Sequence, residues 1–130
     1  MGSVIADEEL LERFTSNTLP AFPHEEHLHV VFERSATADV DATIAFMRDG
    51  IRNMAAANGN PGAYHDTRTA AWVRLLHAAR TGFEGDFGAF LVAHPEFIRR
   101  DLLSDYYSSE LLTGAAAREA FVEPDLRELP

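Results

Sequence analysis

The sequence predicts an all-α fold, a single compact bundle of about six or seven helices. Three observations predict it. Apolar residues recur at 4-3 spacing over long stretches, most clearly Val40, Ile44, Met47, Ile51 and Met54. The stop signals Asn58-Gly59 and Thr81-Gly82 close the two longest stretches. Glycine-punctuated runs of alternating β-branched residues, the mark of strands, are missing around them.

The elements follow in order. A first helix is expected over Asp7 to Ser16, with acids in its first turn and Leu10, Leu11 and Phe14 turned inward. The segment NTLPAFP reads as a loop. Pro23 then suits the first position of a second helix, with Glu25 and Glu26 in the turn where the positive dipole end favours acids. The third helix runs from Asp39 to Ala57. After the turn NGNPG, a fourth runs from Ala63 to Arg80. FGAFLVAH makes a shorter helix, and Pro95 opens another that continues through EFIRRDLLSDYY. A last helix falls in SSELL or AAAREAF, and residues 122–130 form an extended tail. No repeat or interdomain linker interrupts residues 1–130, which read as one domain.

Composition narrows the function. The hydrophobic content is 46% of 130 residues, enough for a packed core. No apolar run reaches about 18 residues, so no membrane span is expected. The N-terminus lacks a basic segment followed by an apolar core, so a cytoplasmic location is expected. Cysteine is absent, which excludes disulfides, thiolate nucleophiles and iron–sulfur clusters. Lysine is absent too, which excludes a Schiff-base lysine. With 21 acidic and 11 basic residues the net charge is −10, so neither nucleic acid nor an anionic membrane is an expected partner. No P-loop, dinucleotide fingerprint or nucleophile elbow is present.

The histidines carry the chemistry. FPHEEHLHVVF holds three of the six. At about 100° per residue, His24 and His27 share a face with Leu28 and Val31, whereas His29 is turned away. Read as a strand, HLHVVF would instead place His27 and His29 together, as in small barrel oxygenases. On the fourth helix His65, Thr69, Trp72, Leu76 and Ala79 form one stripe, so His65 is expected to point inward as well. His77 and His94 are expected at the surface. Three imidazoles buried without partners cost roughly 1–3 kcal/mol each, and a shared ion removes that cost. The expected site is therefore one divalent transition metal (zinc, iron, copper or nickel) on His24, His27 and His65. Tyr64 and Thr69 are the candidate catalytic residues, with Thr67 beside them. Arg52, Trp72 and Tyr106 are the candidate substrate contacts. Arg48, one turn from Arg52, is an alternative anion holder or a partner for an acid.

These segments also resemble a group of small, mostly uncharacterised bacterial proteins. F-x-H-x-x-H-L, Y-H-D-T-x-T followed by tryptophan, YYS, and F-V-E-P-D-L-x-x-L-P match that group's pattern from about Phe14 to Pro130. Ala63 stands where the group has lysine. The resemblance implies that His24, His27, Tyr64 and His65 occupy motif positions and that His29, His77 and His94 do not.

The expected function is a metal-dependent enzyme acting on a small molecule. Three protein ligands would leave a coordination position open for water or oxygen activation. The rival readings are a non-catalytic acidic helical interaction module and a metal-binding sensor or carrier.

Overall fold

The computed structural model describes residues 7–19 and 22–130. It is all helical, with seven α-helices and no strand among the described residues. They are α1 (Asp7–Ser16), α2 (His24–Arg34), α3 (Val40–Ala57), α4 (Asp66–Arg80), α5 (Phe87–Ala93), α6 (Ser109–Leu112) and α7 (Ala115–Glu119). Short 3₁₀ turns cover Pro61–Ala63, Pro95–Ile98 and Leu102–Asp105. No described helix is long and apolar enough to cross a membrane. Pro20 and Ala21 of the expected loop, and residues 1–6, lie outside the described residues.

α4 is the axle. Asp66, Thr67, Thr69 to Val73, Leu75 and Leu76 are all buried, so it is enclosed on nearly every side. α2, α3 and α7 pack against it, and α1 and α5 pack on α2. Phe90 and Phe97 join Phe32 and Trp72 in the core through ring centroids 5.2–6.4 Å apart.

α3 differs in one respect from its 4-3 stripe. The fully buried positions are Thr43, Met47 and Gly50, while Val40, Ile44, Ile51 and Met54 are half-buried. Phe14 of α1 explains the shift. A Cβ on Gly50 would stand 2.1 Å from its ring, so the ring fills the space that a side chain would take.

Three boundaries depart from expectation. α4 begins at Asp66 rather than Ala63, because Pro61–Ala63 forms its own 3₁₀ turn and His65 is the cap. The helix expected from Pro95 through Tyr107 is two 3₁₀ turns, divided at Arg99, whose ψ of 121° is extended. SSELL and AAAREAF are both helical, separated by Thr113 and Gly114.

The tail 122–130 has no regular structure but is tied down. Tyr107 donates from its hydroxyl to the Val122 carbonyl at 2.7 Å, and Leu126 N donates to the Tyr106 carbonyl at 2.9 Å. Leu129 is buried.

Candidate functional site

His24 and His27 lie at the start of α2, as the helical phase requires. His24 Nε2 is 2.8 Å from the Phe97 carbonyl; that oxygen only accepts, so Nε2 carries the proton. The His24 ring sits edge-on to Trp72 at 4.8 Å. His27 meets the edge of Phe22 at 5.5 Å. Its Nε2 is sealed from solvent with no hydrogen-bond partner. Burial, reinforced by neighbouring His24, lowers the His27 pKa to about 4, so the ring is neutral near pH 7.

His65 has a different task. Its Nδ1 accepts from Arg68 N at 3.1 Å, capping α4, and its Nε2 donates to the Leu112 carbonyl at 2.7 Å. Both ring nitrogens are committed to backbone. Burial lowers its pKa, against the opposing pull of the Leu112 bond. His24 packs instead on Trp72, seven residues and about 10 Å further along α4. The three histidines as placed do not fit one shared ion, and no group of three or more metal-ligating side chains is found among the described residues.

With His65, Thr67 clasps the C-terminal third of the chain to the start of α4. Thr67 Oγ1 donates to the Ala120 carbonyl at 3.0 Å and accepts from Val122 N at 3.1 Å. Thr69 Oγ1 turns back to the His65 carbonyl at 3.0 Å. Arg118 donates to the Gly62 carbonyl at 3.0 Å. Asp66 is the polar centre: its Oδ1 accepts from the Tyr64 hydroxyl at 2.6 Å and from Arg48 Nε at 2.9 Å. Burial pushes the Asp66 carboxyl up, but the Tyr64 and Arg48 bonds outweigh it and hold the group below the usual carboxylate range. The same pairing raises Arg48, while burial raises Tyr64.

Beside this centre, between α3 and α4, runs a groove of about 730 Å³ lined by Val40, Ile44, Arg48, Ala70, Arg74 and Phe121, with Asp41, His77, Ala78 and Pro130 completing it. Arg48 commits one of its five N–H donors to Asp66. Arg74 lies over the Phe121 ring at 5.3 Å and meets the exposed Glu123 only at 3.6 Å, a loose pair.

The sequence-predicted residues are thus dispersed. Tyr64 and Thr69 are bound within the clasp. Arg52 is exposed, with its guanidinium 4.8 Å from the Tyr64 ring centroid. Trp72 is a core residue against His24 and Phe97. Tyr106 lines a separate cleft with Phe97 and Leu102. His29, expected at the surface, is half-buried and stacks on Phe87 at 4.5 Å. His77 is half-buried too, within 3.2 Å of the Ala38 carbonyl.

The groove residues Asp41, Arg74, His77 and Phe121 were missed. A signal existed: Ala70, Arg74 and His77 repeat at 4-3 spacing on α4, as Asp41, Ile44 and Arg48 do at 3-4 spacing on α3, each beside an apolar stripe. Phe121 has no such signal, since the Thr67 clasp alone brings it there. Comparison with protein families, curated proteins and solved structures found no match.

Proposed function

We propose that this chain binds a small organic anion in the groove between α3 and α4, with Arg48 and Arg74 holding the charged group and Val40, Ile44 and Phe121 the apolar body. One observation carries the reading: two guanidinium groups line one apolar groove in a chain whose net charge is −10. Guanidinium presents paired donors that match a carboxylate, and small-molecule sites combine apolar walls with a few convergent polar groups. Calorimetry with octanoate is the test. Arg74→Gln should weaken octanoate binding about tenfold, the size of one lost charge-assisted contact. Its fold should hold, since the Glu123 pair is loose. Octanoate binding that is absent, or insensitive to Arg74→Gln, would reject the site.

A second reading keeps metal chemistry, confined to His24 and His27. It is favoured by His27 Nε2, buried without a partner beside His24, because a neutral imidazole is a competent ligand. Protein purified without a chelating column should then contain metal that His27→Ala loses and His65→Ala retains. Equal loss in both variants would restore the three-histidine set, and metal-free wild type would end the reading.

A further inference from the structure

The groove is chemically different at its two ends. α3 and α4 cross it in opposite directions: Arg48 reaches Asp66 at the start of α4, and His77 near the end of α4 reaches the carbonyl of Ala38, just before α3. Arg74 is rooted one turn from His77 on α4, and side chains on a helix lean towards its N-terminus, so its guanidinium leans towards the first end. It lies over Phe121, whose neighbours Ala120 and Val122 are both bonded to Thr67. That end therefore offers donors.

The other end offers acceptors. Asp41 is a carboxylate on the groove wall, two turns before Arg48 on α3. His77 Nε2 faces a carbonyl oxygen, which only accepts, so Nε2 donates there and Nδ1 is the ring nitrogen left to meet a donor. Between the ends lie Ile44 and Ala70. Asp41 and Arg48 are seven residues apart on α3, a rise of about 10 Å.

Resting on the anion reading above, we propose that the ligand is an extended zwitterion. Its anionic end meets Arg48 and Arg74, its ammonium meets Asp41 and His77, and an apolar body spans Ile44. An extended tripeptide covers roughly 10 Å, so a short apolar peptide with free ends, or an ω-amino acid of equal span, is the class that fits. A single α-amino acid reaches only one end.

Calorimetry on the full chain tests this with the tripeptide Ala-Val-Ala, its N-acetyl form, its C-terminal amide, 8-aminooctanoate and octanoate. The free tripeptide or 8-aminooctanoate should bind about tenfold tighter than a form lacking either charge, one charge-assisted contact being worth that factor. Which of the two binds tighter identifies peptide or ω-amino acid. Asp41→Asn should reduce the zwitterions to the level of their N-acetyl forms and leave octanoate unchanged. If octanoate binds and the ammonium adds nothing, the zwitterion is wrong and the anion site stands. If octanoate does not bind, the anion site is rejected and the zwitterion falls with it.

Discussion

Replacing His65 with alanine is expected to lower the unfolding free energy by about 2–4 kcal/mol. Two losses combine. The α4 cap on Arg68 N goes, which typically costs about 0.5–2 kcal/mol. The Leu112 carbonyl also loses its 2.7 Å partner, and an unsatisfied buried acceptor costs about 1–3 kcal/mol. His65→Asn separates them, because asparagine caps a helix well but is too short to reach Leu112 as the imidazole does. Urea denaturation should place Asn between wild type and Ala. A His65→Ala protein within about 0.5 kcal/mol of wild type, the range of ordinary surface changes, would remove the clasp as a source of stability.

Stability should also fall steeply in mild acid, and His27 should be the main reason. In the folded chain its pKa is lowered to about 4 by burial and by His24, whereas in the unfolded chain it lies near the ordinary 6.5. Between those values the unfolded state binds a proton that the folded state refuses, so unfolding gains free energy as pH falls. The contribution is intact above pH 6.5 and drains away towards pH 4, about 3 kcal/mol in all at 1.36 kcal/mol per pKa unit. His65, whose pKa is also lowered, adds in the same direction. Asp66 acts lower: its depressed carboxyl supports the fold above the carboxylate range and is lost only as pH drops below it. His27→Phe removes both the titration and the orphaned Nε2, and should flatten the slope between pH 6.5 and 4. An unchanged slope in that variant would assign the acid sensitivity elsewhere.

Much of the fold was legible because local rules and packing agree. α1 spans its expected residues, and Asp39 and Asp86 cap α3 and α5 through Ala42 N at 2.7 Å and Ala89 N at 2.8 Å. The helical phase correctly placed Leu28 and Val31 in the core with His24 and His27 near it. Phase says which way a side chain points, and no more. It did not reveal that His24 would find the Phe97 carbonyl, 73 positions away, or that His65 would find Leu112. Nor did it separate a core stripe at Val40, Ile44 and Met47 from the one actually sealed at Thr43, Met47 and Gly50, because Phe14 arrives from another helix.

The sequence alone therefore determined the helical class, most helix boundaries and the inward turn of His65, since each depends on residues within a few turns of one another, whereas His29 and His77, expected at the surface, are half-buried by distant packing. Tertiary structure alone decided their roles. A histidine satisfied by a carbonyl, such as His24, and one whose Nε2 is buried without a partner, such as His27, look identical in sequence, and only the partner brought by a distant segment separates them. The groove was decided the same way, when Thr67 fixed Ala120 and Val122 and so set Phe121 beneath Arg74.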